Sequence, residues 1–340
     1  MLTNILILKL FFGFIISFLV TFYLVPLIIN VAFKLNVLDN PDGSLKVHKK
    51  ATPYLGGLAV YIGFITSLAL VFPFENRMFL FLLGSTLLMF VGLIDDLVVM
   101  QPHQKFFGQI IAAFCFLKAG FYLKEIFFNK ISNIFISFFW ILSVINAFNL
   151  IDIMDGQATL VASMASISFI ILAIIFQSYN TALLLSAFLG SLIAFWWFNK
   201  PDAKIYLGDS GSLFIGGLLA TVPFTIPWGI FNVYGLITPV IILLIPLLEL
   251  GTLILIRTYK GIPFYKGSPD HFSIYLQKNG WNKNEILGYL AIYACFLFLM
   301  SYLFVLNKID LISSIIYLSS LIILWYFALF KRIFLKNFTL

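Results

Sequence analysis

Eleven long apolar runs separated by polar segments pattern this chain, near residues 5–29, 54–73, 78–94, 106–123, 134–151, 157–176, 181–198, 212–228, 236–256, 286–306 and 311–330. The runs are continuous and do not alternate. They therefore predict membrane-crossing helices and exclude a membrane β-barrel. The first run is too long for the core of a cleavable signal and no A-x-A exit follows it, so it is expected to be a retained span. No internal repeat or low-complexity tract stands out. The predicted fold class is all-α: a polytopic integral membrane protein of about 11 transmembrane helices, forming one domain over residues 1–340.

Charge then assigns the faces. Fifteen of the 21 Lys and Arg fall in the segments 30–53, 95–105, 152–156, 199–211, 257–285 and 331–340, all on one side of the predicted bundle. The positive-inside rule makes that side cytoplasmic, with the N-terminus outside and the C-terminus inside. With 62% hydrophobic and 10% charged residues, a soluble globule is excluded. The net charge of +7 reports orientation, and no nucleic-acid partner is expected. Ten of the 14 acids and all three histidines lie on the same side. Orientation requires only Lys and Arg, so the gathered acids point to an active site built from cytoplasmic loops. Cys115 and Cys295 lie inside apolar runs and are expected to be buried structural thiols.

Asp95-Asp96 ends the third run. Adjacent carboxylates repel unless a cation lies beside them, and Mg²⁺ is the usual hard cation where carboxylates meet phosphates. Lys105 and Gln109 follow, the lysine as a natural phosphate contact. The plain alternative is a solvated turn before a helix. In Asn146-Ala-Phe-Asn149-Leu-Ile-Asp152-Ile-Met-Asp155-Gly156 polar residues recur every third position, which predicts a slowly turning ladder on one helix face. Such groups are costly at the end of an apolar helix without partners. A helix cap would explain one of them, not four.

In Gly208-Asp209-Ser210-Gly211-Ser212, small residues permit close approach of a ligand to the backbone. The run can also cap the next helix, whose N-terminus favours anions. Its letters are shared with serine proteases, but no His–Asp pairing accompanies them. The loop 257–285 carries Arg257, Lys260, Lys266, Asp270, His271, Lys278 and Lys283. It suits anion binding, or simply follows the orientation rule. His271 could bind phosphate, transfer a proton or be an ordinary loop residue. His48-Lys49-Lys50 could hold lipid headgroups, and Gly56-Gly57 allows close approach of a ligand or helix. Glu249, inside the ninth run, is a functional candidate by its position in the membrane or a bond to a neighbouring helix. His103 is read as a loop residue.

Taken in order, these segments resemble the polyprenyl-phosphate N-acetylhexosamine-1-phosphate transferases. The Asn146–Gly156 and Gly208–Ser212 segments carry most of the likeness, and Asp95-Asp96 with Lys105 and Gln109 adds to it. The resemblance implies transfer of a sugar-1-phosphate from a UDP-N-acetylhexosamine, UDP-N-acetylglucosamine or a relative, to polyprenyl (undecaprenyl) phosphate. UMP would leave, and Mg²⁺, or Mn²⁺ in its place, would be required. Such a step initiates cell-envelope polysaccharide synthesis at the cytoplasmic face of the bacterial cell membrane. By the same resemblance Asp95, Asp96 and Asp209 are the catalytic candidates. Asp209 ligates the metal with help from Asn149, and Asp95/Asp96 activate the lipid phosphate. Asp152 and Asp155 contact the nucleotide side. Lys50, Lys105 and His271 match phosphate- or sugar-contacting segments, and Asn146 and Lys204 complete the substrate-binding set. The oligomeric state is not fixed by the sequence; a homodimer is one expectation.

The chain departs from the family pattern in three places. His271-Phe-Ser273-Ile274-Tyr275-Leu276 stands where His-x-His-His before Arg-Leu is usual, which argues against the muramoyl-pentapeptide branch. Asp152-Ile-Met-Asp155 lacks the usual Gly after the first Asp, and Glu249 replaces a frequent Asp. Two rival readings are a multispan transporter or flippase of lipid-linked saccharides and an inactive relative. Transporters place polar sites near the bilayer midplane, whereas the acids here gather at run ends.

Overall fold

The computed structural model describes residues 2–39, 51–73, 76–124, 129–263 and 265–336. Each apolar run is helical. In order these helices are α1 (Leu2–Lys34), α2 (Gly56–Val71), α3 (Asn76–Val98), α4 (Pro102–Lys118), α5 (Lys130–Ile151), α6 (Gln157–Ile175), α7 (Tyr179–Asn199), α8 (Gly208–Thr221), α9 (Thr238–Ile242), α10 (Leu244–Tyr259), α12 (Lys283–Val305) and α13 (Leu311–Lys336), with the short polar α11 (Phe272–Lys278) between α10 and α12. The chain is an all-α, multi-pass membrane protein.

Span length differs from the sequence reading. Among the described residues eight helices are long and apolar enough to cross a membrane, or nine if α9 and α10 count as one span bent by 70°. At 1.5 Å per residue, the 16 residues of α2 and 17 of α4 reach only about 24–26 Å, short of a core of about 30 Å. The start of α4 is also polar, with His103, Gln104 and Lys105 in its first turn and Gln109 in its second.

Contacts divide the chain into two compact units, Met1–Pro227 and Trp228–Leu340. In the first, α8 is the central helix, buried at every position from Ser210 to Thr221 and packed against α2, α3, α5 and α6. Around it α1 packs on α2 and α7, and α3 packs on α4. Phe214 of α8 meets Tyr61 and Phe64 of α2 and Phe188 of α7 at centroid separations of 5.1–5.8 Å. Two close approaches bring α8 against its neighbours. A Cβ on Gly92 of α3 would lie 2.2 Å from the Asp209 carbonyl oxygen, and one on Gly57 of α2 would lie 2.1 Å from the Gly211 nitrogen. The Gly56-Gly57 pair thus serves helix contact.

A two-residue antiparallel ladder joins β1 (Leu38–Asp39) to β2 (Thr52–Pro53), Leu38 opposite Pro53. The next residues are tied to the segment leading into α8: Tyr206 N–H donates to Pro53 O (2.7 Å), and Gly56 and Gly57 N–H donate to Tyr206 O and Leu207 O (3.0 and 2.8 Å). The second unit is built from α9–α13, with α12 packed on α9 and α11 on α13. There Phe272 stacks on Trp325 at 3.8 Å.

The cysteines depart from expectation. Both are free; Cys115 is half-buried and Cys295 is exposed on α12. An apolar span has an outward face that lipid, not protein, covers, so apolar surroundings in sequence do not ensure burial in the fold.

Candidate active site

The first unit brings five of the expected site residues together at helix ends. Lys105, in the first turn of α4, places its ammonium 3.0 Å from Asp95 Oδ2 at the end of α3 and 3.3 Å from Asn149 Oδ1 at the end of α5. It also pairs directly with Asp209 Oδ2 at the start of α8. Asn149 Nδ2 donates to Asp209 Oδ1 (2.7 Å) and to Ser212 Oγ (3.0 Å). Burial alone would lower the Lys105 pKa, but the carboxylates of Asp209 and Asp95 outweigh it and hold the ammonium above its ordinary value.

The adjacent aspartates do different work. Asp95 faces Lys105, and its Oδ1 accepts the Met100 N–H at 2.6 Å. That bond turns the chain sharply after α3, with Val99 at φ 53°, a left-handed conformation that a β-branched side chain rarely adopts. Asp96 reaches instead to α8, its two oxygens accepting the N–H groups of Asp209 (2.8 Å) and Ser210 (3.0 Å). The plain alternative for the Gly208–Ser212 segment was that it caps its own helix. The cap comes from α3, because a carboxylate on a neighbouring helix reaches two of the unpaired N–H groups at once.

The polar ladder also divides. Helix α5 ends at Ile151, and Asp152 takes the non-helical cap position. Asn146 and Asn149 therefore sit on α5, while Asp152 and Asp155 sit in the turn before α6. Asn146 exchanges amide hydrogen bonds with Gln109 of α4 (2.8 and 3.4 Å) and donates to Leu142 O, one turn away from the carboxylates. Asp152 is held well above the ordinary carboxylate range, first by burial and then by the negative charges of Asp209, Asp96 and Asp155. The Asp155 turn is anchored by Asn199, whose Oδ1 accepts from Gly156 N–H (3.1 Å) and Thr159 Oγ1 (2.8 Å).

Lys204 is exposed in the loop before α8, and Lys50 lies outside the described residues. His271 belongs to the second unit, where its Nδ1 lies 3.0 Å from Glu249 Oε1. The expected site set did not include Glu249. Its signal in the sequence was its position, an acid inside an apolar run.

The donor set suits a hard cation. Asp209 offers a carboxylate and Asn149 an amide oxygen side by side, and Lys105 already places positive charge against both. Asp152 feels the charge of Asp96, Asp155 and Asp209 together, so acid outweighs base locally. Among the described residues no three His, Cys, Asp or Glu side chains converge as a complete metal cage.

Residues 78–226 match the profile of Glycosyl transferase family 4, a stretch that includes Asp95, Asp96, Lys105, Asn149 and Asp209. The chain is 29% identical over 304 residues to the probable undecaprenyl-phosphate N-acetylglucosaminyl 1-phosphate transferase of Bacillus subtilis (strain 168), covering 85% of this chain and 83% of that one. It is 32% identical over 203 residues to the undecaprenyl-phosphate alpha-N-acetylglucosaminyl 1-phosphate transferase of Thermotoga maritima, covering 60% and 62%. It is 32% identical over 237 residues to a phospho-N-acetylmuramoyl-pentapeptide-transferase of Listeria innocua, covering 62% of this chain and 72% of that protein. The chain belongs to Glycosyl transferase family 4.

Proposed function

We propose that this protein transfers N-acetylhexosamine-1-phosphate, from UDP-N-acetylglucosamine, to undecaprenyl or a similar polyprenyl phosphate, releasing UMP. The observation that carries this reading is the convergence of Asp95, Lys105, Asn149 and Asp209 at the ends of four helices. A soluble nucleotide sugar and a lipid phosphate can meet only at a membrane surface, and helix ends supply groups there. The names of the relatives from Bacillus subtilis and Thermotoga maritima support the acceptor and the sugar. In this reading the chain crosses a bacterial cell membrane eleven times, with α2 and α4 as short spans and α9–α10 as one bent span. Its carboxylates face the cytoplasm, and the step opens the synthesis of an envelope polysaccharide.

The bond that forms joins an oxygen of the lipid phosphate to the sugar-bearing phosphorus of the donor. The bond that breaks joins that phosphorus to the bridging oxygen, which leaves with UMP. A phosphate monoester with a second pKa of about 6 is largely dianionic at neutral pH, so its attack needs no strong base. Asp95 is already engaged by Lys105 and the Met100 N–H, which makes it a poor nucleophile and a good anchor. We therefore read the attack as direct, with Lys105 meeting a phosphate and Asp95 holding it in place. Asp96 fixes the start of α8 and so places Asp209. Mg²⁺ bound at Asp209 and Asn149 would supply neutralisation of the phosphate charge.

One feature favours a transporter: a span broken by 70° that carries a buried acid, Glu249. Against it, the carboxylate cluster lies at helix ends and not at mid-span. The deciding assay supplies purified protein with undecaprenyl phosphate, Mg²⁺ and a panel of UDP-N-acetylhexosamines. UMP release that stops on chelation is expected; no UMP from any donor would overturn the reading.

A further inference from the structure

Glu249 is 1% exposed and His271 is 5% exposed, both in the second unit. They come from α10 and from the residue that opens α11. Glu249 Oε1 lies 3.0 Å from His271 Nδ1 and accepts the Phe272 N–H at 3.2 Å. One carboxylate thus holds the imidazole and the first turn of the helix behind it. Phe272, next in the chain, is stacked on Trp325. The loop between is tied to the same helix twice more, by Arg257 Nε to Ser268 Oγ (3.0 Å) and by Lys260 Nζ to Asp270 Oδ1 (2.5 Å).

A buried carboxylate in an apolar helix is expensive, and an unpaired one more so. A structural need for a cap would be met by a Ser or Asn on the loop itself. The cost of an acid is better explained by its partner. A histidine whose Nδ1 is engaged by a carboxylate has a fixed ring orientation and a fixed proton position, and presents Nε2 alone to a ligand. We propose that Glu249 is the positioning residue for His271, holding Nδ1 so that Nε2 is the one ring nitrogen left to meet an anionic ligand. This rests on the transferase reading above. The loop 257–285 holds a single histidine, so no second imidazole in it can stand in for a misoriented ring.

The test is a mutant cycle on UMP release with Glu249→Ala, Glu249→Gln, Glu249→Asp, His271→Ala and the double Ala variant, each checked for folding by thermal melting in detergent. Glu249→Ala should lower kcat/KM about tenfold or more, the usual scale for removing a carboxylate behind a functional histidine. The double variant should be no worse than His271→Ala alone, and Glu249→Asp should recover part of the loss. Glu249→Gln keeps an acceptor oxygen and covers the case in which the Ala variant does not fold; it should retain the orientation in part. Folded Ala or Gln variants with wild-type kinetics, or losses that multiply in the double variant, would overturn the assignment. A second readout is independent of catalysis. With ¹⁵N-histidine labelling of the full chain in nanodiscs, the His271 ring signals should report a hydrogen-bonded Nδ1–H that is lost in Glu249→Ala. Unchanged signals would overturn the pairing, even if the wild-type protein released UMP. Absence of UMP from the wild type with the expected ring signals would overturn the transferase reading and leave the pairing intact.

Discussion

At Lys105 three oxygens from three other helices compete for one ammonium, and the outcome ranks the substitutions. Removing the charge that meets phosphate, Lys105→Ala, should cost about 10²–10³ in UMP release, the scale for losing one electrostatic stabiliser of a transition state. Asp209→Asn should cost as much, because the cation would lose its carboxylate. Asp95→Asn keeps the shape and the Met100 contact while loosening the lysine, and should cost about 10–100-fold. Initial rates across the series check this order, and equal losses at all three positions would refute it. Asp152 behaves in the opposite sense for stability. Its pKa is raised in the fold, so the folded state holds its proton more tightly than the unfolded chain. The sign follows: stability is lost as pH rises from the ordinary carboxylate range, about 4, toward the raised value. Asp152→Asn should therefore raise the melting temperature of the metal-free protein at neutral pH while lowering its activity.

Much at this scale was legible. Asp95, Lys105, Asn149 and Asp209 are marked by residue type and by position at run ends, and they converge. What the sequence hid is who meets whom. Asp96 and Asp95 are neighbours in the chain, yet consecutive positions on a helix point in different directions, one to α4 and one to α8. The Glu249–His271 pair joins a helix interior to a loop 22 residues on, and no local spacing announces it.

At the scale of elements, helix existence was readable and helix length was not. Hydrophobicity located the long helices, because an apolar run in a membrane satisfies its backbone as a helix, but it missed the short polar α11 inside the expected loop 257–285. The break at Leu243 and the shortness of α2 and α4 come from packing and from polar first turns, which a hydropathy window averages away. Packing also sets what these helices tolerate. Gly92→Ala would force a Cβ against the backbone of Asp209 and Ser210, at 2.2–2.4 Å. It should cost about 1–3 kcal/mol by overpacking and lower UMP release through Asp209. Gly251→Ala, in the interior of α10 with nothing within 4 Å of the added carbon, should be neutral or gain about 0.5–1 kcal/mol from helix propensity. Thermal melting of the two variants in one detergent decides it.

At the scale of the whole molecule, the proposed orientation makes a prediction that needs no enzyme assay. In a chain with Cys115 and Cys295 replaced by Ala, His103→Cys should react with an impermeant thiol reagent only from the cytoplasmic side. Lys308→Cys should react only from the opposite side. Both positions are exposed. Labelling of both from one side would remove an odd number of crossings between them and with it the eleven-span count.

The bond from Asp96 to the start of α8 has a consequence in time as well as in space. Its two partners are separated by 113 residues of chain. At a synthesis rate of about 5–20 residues per second, the acids that end α3 wait on the order of ten seconds for α8 to be made. Lys105 is the next Lys or Arg after Asp95 and emerges within moments of it, so the lysine would act as escort to the nascent site before it ever meets a substrate. Lys105→Arg keeps that escort and changes the fork that meets phosphate. It should accumulate in the membrane as well as the wild type does, while Lys105→Ala should accumulate poorly, a difference that quantifying membrane-inserted protein would reveal.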